Sequence, residues 1–213
     1  DQLELLTLLA NMAAVKITNA RLLEADRERD RIVQELTNAT RIQRAMLPEG
    51  TPALPGYELE AYIETCNEVG GDLYDFYVRD DGHLVFIVGD VTGKGMGAAL
   101  LMSSFLASAR VLYDSCIDPA ELARRLGAMV NRSNDRARFV TGFVGCLDPA
   151  TGTLKYVNAG HPWPMLVRDG ALRELESNGV PFGVVAGFPY STATVEIAPG
   201  EVFALFTDGI PEA

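Results

Sequence analysis

The chain has 213 residues, 48% of them hydrophobic and 22% charged, with 29 acidic against 18 basic side chains and a formal net charge of −11. This composition is typical of a folded globular protein, and its negative charge argues against nonspecific binding to nucleic acid or anionic membranes, which need clustered Lys and Arg. Residues 1–47 hold seven acids and seven bases, so the whole excess of negative charge lies in residues 48–213.

The three cysteines, Cys66, Cys116 and Cys146, lack Cys-x-x-Cys spacing, which argues against a disulfide framework and a zinc site. No signal peptide opens the chain, and its most apolar segment is interrupted by Ser and Arg. We therefore expect a cytoplasmic protein with no nucleic-acid or membrane partner. The chain begins without Met and ends just after a strand-like run, which suggests a piece of a longer protein.

Residues 1–47 contain neither Pro nor Gly and follow a seven-residue repeat in which most a and d positions are apolar. These positions are Leu5, Leu8, Met12, Val15, Asn19, Leu22, Asp26, Arg29, Val33, Leu36, Thr40, Gln43 and Leu47. The pattern predicts a long helix that forms a homodimer through a coiled-coil seam. The alternative is a helix packed against its own domain.

A second domain is predicted over residues 48–213, because Pro48 and the Pro and Gly residues after it cannot continue the helix. Alternating or apolar runs predict strands at 57–63, 72–78, 84–89, 139–147, 154–158, 165–168, 194–197 and 202–207. A helix over 98–113 is apolar on nearly all sides and should be buried, and a second begins after Asp118 as N-cap and ends near residue 131. This order of strands and helices predicts an α+β fold.

Three short motifs place an Asp beside a Gly where a strand ends, at residues 69–72, 88–95 and 206–209. Each Asp taken alone is typical of a turn or a helix cap. Together, Asp72, Asp90 and Asp208 could converge on one rim of a sheet, where they would repel one another unless a cation lay between them. Because no His-rich or Cys-rich spacing accompanies them, the donors suit Mg²⁺ or Mn²⁺.

The glycine-rich turn formed by Gly93, Lys94 and Gly95 is not a Walker phosphate loop. That pattern needs Gly at position 88 and Ser or Thr at position 95, where this chain has Val88 and Gly95. The start of the following helix could still hold a phosphate, with Lys94 facing the substrate. The alternative is that Lys94 is an ordinary solvated lysine.

His161 lies in the dense motif of residues 159–164 and could be a general acid or a metal ligand. We favour a role in holding the turn by hydrogen bonding, because no second His stands at a ligand spacing. Arg132, Arg136 and Arg138 form a small basic patch, interpreted as solvated surface, with substrate docking as the less favoured alternative.

A family resemblance is carried by five motifs in order: Ile42-Gln43-x3-Leu47-Pro48, Val69-Gly70-Gly71-Asp72-x-Tyr74-Asp75-Phe76, Asp90-Val91-Thr92-Gly93-Lys94-Gly95, Asn158-Ala159-Gly160-His161-Pro162 and Thr207-Asp208-Gly209-Ile210. Over residues 41–212 this set resembles the metal-dependent Ser/Thr protein phosphatases of the PPM type, in the bacterial SpoIIE/RsbU-like branch. Residues 1–25 resemble the last helix of a GAF sensor domain more weakly.

The resemblance implies an α-β-β-α sandwich that dephosphorylates phosphoserine or phosphothreonine on a regulatory protein, commonly an anti-sigma-factor antagonist. It implies two Mn²⁺ or Mg²⁺ ions held by Asp72, Asp90, the main-chain carbonyl of Val91, and Asp208, with a metal-activated water as nucleophile. Lys94 stands where many relatives have His, and Gly93 and Gly95 flank it on the substrate side.

The resemblance also implies a last metal-binding Asp on a strand beyond the Thr-Asp-Gly motif, which this sequence does not contain. We therefore expect the 213-residue chain to be weakly active or inactive and its parent protein to be the enzyme. Regulation would pass from an upstream sensor through the helix of residues 1–47. A catalytically inactive, dimeric binding module is the alternative function.

Overall fold

The structure is a computed structural model that describes residues 2–63, 70–116, 118–133 and 138–207, apart from the side chains of Leu5 and Ser133. The chain divides into two compact units, residues 1–42 and residues 43–213. Among the described residues, no helix combines the length and apolarity needed to cross a membrane.

The first unit is a single long helix, and α1 as a whole covers Gln2–Arg44. The absence of Pro and Gly explains its length, since no helix-breaking residue interrupts it. Its apolar side chains are exposed, including the seam positions Met12, Val15 and Leu22. The predicted helix is confirmed, but it ends at Arg44, so Leu47 lies beyond it and packs in the core of the second unit.

The second unit contains eight strands in two antiparallel sheets. They are β1 (Leu73–Val78), β2 (Leu84–Val91), β3 (Val140–Asp148), β4 (Thr153–Ala159), β5 (Met165–Arg168), β6 (Ala171–Glu174), β7 (Ala193–Glu196) and β8 (Val202–Ala204). The larger sheet has the order β1-β2-β3-β4-β7, and the smaller has the order β6-β5-β8. Tight turns join β1 to β2 and β3 to β4, with Gly82 and Gly152 supplying the positive φ that these turns need.

Two helices follow the first hairpin, α2 (Met96–Leu112) and α3 (Pro119–Ser133). Asp118 caps α3 as predicted, because its Oδ1 accepts a hydrogen bond from the main-chain N–H of Ala120 at 3.2 Å. The side chain of Thr192 also donates a hydrogen bond to this carboxylate and so ties the start of α3 to the segment before β7.

The pleat of the larger sheet divides the core into two apolar clusters. Val85 and Ile87 of β2 face α2 and α3, whereas Leu84 and Phe86 on the same strand face the smaller sheet. β3 and β4 alternate in the same way, so their central residues are buried on both faces. The result is a helix, sheet, sheet layering that confirms the predicted α+β class, with one helical layer present in the described part of the second unit.

Two predicted elements differ from the structure, and one strand was not predicted. Residues 57–63 form no ladder, and Tyr57 and Leu59 instead pack on the cluster between the sheets. α2 is not buried on all sides, since Leu100 and Val111 are 62% and 80% exposed. β6 was not predicted, although Asp169-Gly170 is a common hairpin signal and both residues have positive φ in the turn between β5 and β6.

Candidate metal centre and its surroundings

Gly71 brings two oxygen donors together at the end of β2. A Cβ atom at position 71 would lie 2.6 Å from the main-chain O of Val91 and 2.8 Å from Oδ1 of Asp90, closer than real Cβ atoms approach. The main-chain N–H of Val91 donates a hydrogen bond to the O of Gly71 at 3.3 Å, which holds the two segments together. Glycine is therefore required here for steric reasons, and the space it leaves is bordered by oxygen atoms.

Asp72 lies directly after Gly71, on the segment that faces the end of β2. The ladder between β1 and β2 pairs Leu73 with Gly89, and this register continued by one residue sets Asp72 opposite Asp90. Both carboxylates are partly buried. Asp208, the third predicted carboxylate, lies outside the described residues, and no cluster of three or more metal-binding side chains occurs within the described ranges.

These donors fit the ion that the fold family implies. Asp72, Asp90 and the carbonyl of Val91 offer oxygen ligands only, which hard divalent cations such as Mg²⁺ and Mn²⁺ prefer. The gap kept open by Gly71 is bordered by two of these three donors. The residues present therefore fit a hard divalent cation, and the metal site stays a prediction.

The side chain of Gln43 is hydrogen-bonded to the segment that leads to Asp72. Its side-chain Nε2 donates to the main-chain O of Gly70 at 2.6 Å, and the N–H of Gly70 donates back to Oε1 of Gln43 at 3.2 Å. Gln43 is buried and lies in the last turn of α1. The seven-residue repeat predicts a seam position for Gln43, whereas the Ile42-Gln43 motif indicates another role.

A second group of hydrogen bonds connects β1 to α2 and Tyr113. The buried carboxylate of Asp75 accepts hydrogen bonds from Nε and Nη2 of Arg110 at 2.8 and 2.9 Å and from the hydroxyl of Tyr113 at 3.0 Å. Nη2 of Arg110 also donates to the main-chain O of Met46 at 2.7 Å. The hydrogen bond to Asp75 raises the pKa of Arg110, while burial and then Asp75 raise the pKa of Tyr113. Asp75, Arg110 and Tyr113 were not among the predicted site residues.

The turn between β2 and α2 has the glycine geometry that its sequence suggested. Gly93 and Gly95 have positive φ, and Gly95 is the N-cap of α2 without a side-chain hydrogen bond. Lys94 between them is exposed. The guanidinium of Arg138 lies against Gly97, where a Cβ would come within 2.7 Å of Cζ. Arg138 is thus the member of the predicted basic patch that the structure brings to this turn, whereas Arg136 lies outside the described residues.

His161 lies on the side of the site formed by β3 and β4. Its Nδ1 is 3.3 Å from the hydroxyl of Thr141, and that hydroxyl contacts the main-chain O of Asp90 at 3.5 Å. The N–H of His161 donates to Oδ1 of the buried Asn158 at 2.8 Å. These contacts agree with the interpretation that His161 holds its turn by hydrogen bonding.

An open pocket of about 570 Å³ extends from Asp90 to the His161 turn. Its described lining residues are Asp90, Thr92, Phe139, Thr141, Gly160, His161, Pro162 and Trp163. A pocket of this size beside the oxygen donors is in the range that binds small ligands. The site therefore has room for more than a metal ion.

The layering and the carboxylate-bearing hairpin together define the PP2C-type phosphatase fold. The solved structure of the SiaA-PP2C domain of Pseudomonas aeruginosa matches with a TM-score of 0.69 and 22% sequence identity, covering 85% of this chain and 73% of that chain. Residues 80–213 match the family described as Stage II sporulation protein E (SpoIIE). The chain belongs to this SpoIIE family, which confirms the resemblance found in its motifs.

Two curated relatives align over most of the chain. Protein IcfG of Synechocystis sp. is 30% identical over 207 residues, covering 84% of this chain and 33% of its own length. Phosphoserine phosphatase RsbU of Bacillus subtilis is 26% identical over 183 residues, covering 85% of this chain and 54% of its own length. The chain thus spans between a third and about half of these relatives.

Proposed function

We propose that this chain is a metal-dependent protein phosphatase that removes the phosphoryl group from phosphoserine or phosphothreonine on a regulatory protein. One observation carries the proposal: Oδ1 of Asp90 and the O of Val91 border the space left by Gly71, with Asp72 on the facing segment. The family membership and the relative named phosphoserine phosphatase support the same reaction.

The proposed ligands are Asp72, Asp90, the carbonyl of Val91, and Asp208. When bound, Mn²⁺ or Mg²⁺ would lower the pKa of a water molecule and neutralise phosphate oxygens during in-line attack. Asp90 is central because it is the next-to-last residue of β2, a strand paired with both β1 and β3, which limits its movement. Gly93, Lys94 and Gly95 are proposed to face the substrate, with Lys94 as an exposed cation near an otherwise acidic site.

The proposed substrate is a small phosphoprotein, such as an anti-sigma-factor antagonist, as the resemblance implies. We also propose that the helix of residues 1–47 forms a homodimer and passes the state of an upstream sensor to the site. The support is that Gln43 lies in the last turn of α1 and is hydrogen-bonded to Gly70, two residues before Asp72. We propose a cytoplasmic location for this activity.

The reaction is tested with the full-length protein that contains this chain, by release of phosphate from a phosphoserine protein in the presence and absence of Mn²⁺, with wild type beside Asp90→Asn. We expect Mn²⁺-dependent release by wild type and at least a hundredfold loss in the variant, since one carboxylate of the ion would become a neutral amide. Glu196→Asn is a control, because Glu196 is an exposed carboxylate at the edge strand β7.

Equal inertness of wild type and Asp90→Asn would count against the phosphatase and favour the binding module. Calorimetric titration with Mn²⁺ would then show whether metal binding survives without turnover. A chain that binds Mn²⁺ through Asp90 but releases no phosphate would retain the metal centre and lose only the proposed reaction.

A further inference from the structure

Half of the described lining of the pocket beside Asp90 comes from a motif that the proposed metal site does not use. These residues are Gly160, His161, Pro162 and Trp163, and the lining also includes Thr92, Phe139 and Thr141. Asp90 lies at the junction with the metal centre. A substrate whose phosphoryl group binds at Asp90 would therefore have its neighbouring residues beside this pocket.

The part of the pocket lining formed by Thr92 and Phe139 is held in place by hydrogen bonds between these two residues. The N–H and the hydroxyl of Thr92 both donate to the O of Phe139, at 3.0 and 2.8 Å. The N–H of Phe139 donates to Oγ1 of Thr92 at 2.8 Å. This side of the pocket is therefore formed before any ligand binds, which lowers the entropic cost of binding.

The wall formed by residues 160–163 is also held in place. Oγ of Ser177 accepts a hydrogen bond from the N–H of Gly160 at 3.1 Å, and Asn158 anchors His161. Trp163 stands between Pro162 and Pro164, whose rings restrict the backbone on both sides, and the O of Pro164 accepts from Leu175 at 2.8 Å. A large aromatic side chain is thus presented on a stiff loop while 47% exposed.

We propose that this pocket binds the residue next to the phosphoserine of the substrate, that it prefers a bulky apolar side chain, and that Trp163 determines this preference. The inference rests on the proposed phosphatase function and adds a specificity to it. Trp163 would cover an apolar side chain that Phe139 and Pro162 contact from the other sides.

The charges beside the pocket favour an apolar occupant over an acidic one. Within the described lining, Asp90 is the one acidic side chain and no Lys or Arg is present. An acidic flanking residue in this pocket would therefore lie beside a carboxylate, in a domain that carries the whole net charge of −11, whereas Lys94 and Arg138 lie at the neighbouring turn between β2 and α2. An apolar side chain meets aromatic and proline rings and gains from leaving water.

The test uses two peptides that carry a non-hydrolysable phosphonate analogue of phosphoserine, flanked on both sides by Leu in one peptide and by Ala in the other. Binding to the 213-residue chain with Mn²⁺ is measured by fluorescence anisotropy of the labelled peptides. We expect wild type to bind the Leu peptide about tenfold more tightly than the Ala peptide. Because Trp163 is the one tryptophan of the chain, its emission should also change when the Leu peptide binds.

Variants separate this preference from general effects. Trp163→Ala should reduce the Leu-to-Ala ratio to about one without weakening the Ala peptide, and Trp163→Phe should keep most of the ratio. Leu172→Ala is the matched control, since Leu172 is an exposed apolar residue on β6 outside the pocket lining. It should bind both peptides as wild type does.

Three outcomes would overturn the inference. They are an unchanged ratio of Leu-peptide to Ala-peptide affinity in Trp163→Ala, a Trp163 emission that neither peptide alters, and failure of wild type to bind either peptide. Turnover is measured separately with the corresponding phosphoserine peptides. If the 213-residue chain prefers the Leu peptide through Trp163 while the full-length protein releases no phosphate, the pocket is retained and the phosphatase is contradicted.

Discussion

Gln43 and Gly70 exchange two hydrogen bonds, so that one side-chain amide satisfies both polar groups of a main-chain position two residues before Asp72. Gly71, the next residue, is in turn hydrogen-bonded through its O to the N–H of Val91. The last turn of α1 is therefore connected by a short series of hydrogen bonds to the segment that carries the oxygen donors. A change in the position of Gln43 would be transmitted to Gly71.

Replacing Gln43 by Leu should destabilise the fold and weaken the site together. The N–H and O of Gly70 would lose their partners, and unsatisfied buried polar groups cost about 1–3 kcal/mol. We expect a lower free energy of unfolding in urea and a weaker stabilisation by Mn²⁺ in thermal melts. Gln34→Leu is the control, because Gln34 is exposed on the same helix. Equal effects of the two variants would contradict the role of Gln43.

Gly71→Ala should impair metal binding more than it impairs folding. The added Cβ would lie 2.6 Å from the O of Val91 and 2.8 Å from Oδ1 of Asp90, so these oxygens would have to separate. We expect at least a tenfold loss of Mn²⁺ affinity in calorimetric titrations, since the ion requires a defined arrangement of donors. Gly50→Ala should have no such effect, because a Cβ there meets nothing within 4 Å. An unaltered affinity in Gly71→Ala would exclude this gap as the metal site.

The salt bridge between Arg110 and Asp75 should contribute more stability than one between Arg125 and Glu121. The two arginine side chains are similarly exposed, at 42% and 44%, but Asp75 is 4% exposed and Glu121 is 34% exposed. Arg110→Ala leaves a buried carboxylate with Tyr113 alone, and we expect a loss of about 2–3 kcal/mol. Arg125→Ala should cost less than about 1 kcal/mol. Urea unfolding of both variants measures the difference, and equal losses would show that burial of the carboxylate is unimportant.

Lowering the pH should remove the contribution that ionised Glu121 makes to the free energy of unfolding. Hydrogen bonds from Arg124 and Arg125 lower the pKa of Glu121 from 4.5 to about 2. Because the folded-state pKa is below the unfolded value, the contribution is complete above pH 4.5 and is lost as the pH falls to about 2. We expect the advantage in Tm of wild type over Glu121→Gln to shrink across that interval in scanning calorimetry. High salt should reduce it at neutral pH, since the group is exposed; a constant difference in Tm would contradict this origin.

Substitution in the seam of α1 should dissociate the proposed homodimer. Val15 lies at a predicted d position and Ile17 does not, although their side chains are similarly exposed, at 58% and 55%. Val15→Lys would place a charge in the interface, and we expect a monomer by sedimentation equilibrium at concentrations where Ile17→Lys remains dimeric. A wild-type chain that is monomeric at every concentration would refute the dimer.

Local signals in the sequence were sufficient for the elements that carry the donors. The hairpin of β1 and β2 follows from two strand-like runs separated by an Asp-Asp-Gly turn, and Asp118-Pro119 marks the start of α3. The positions of Asp72 and Asp90 at one end of that hairpin follow from its register, which a short turn determines. Residues 57–63 are different, because their alternating apolar side chains indicate that one face of the segment is buried. The alternation does not reveal whether a partner strand pairs with the segment.

Tertiary structure alone decided which distant residues meet around those donors. Gln43 is 27 positions from Gly70 and Arg110 is 35 positions from Asp75. The His161 turn reaches the end of β2 because β3 lies between β2 and β4 in the larger sheet. Such contacts depend on the packing of whole layers, whereas a sequence pattern reports only the period and local geometry of its own segment. The positions of Asp72 and Asp90 are therefore predictable from the sequence. The hydrogen bonds of Gln43 and Arg110, and the pocket, arise from the way the chain packs.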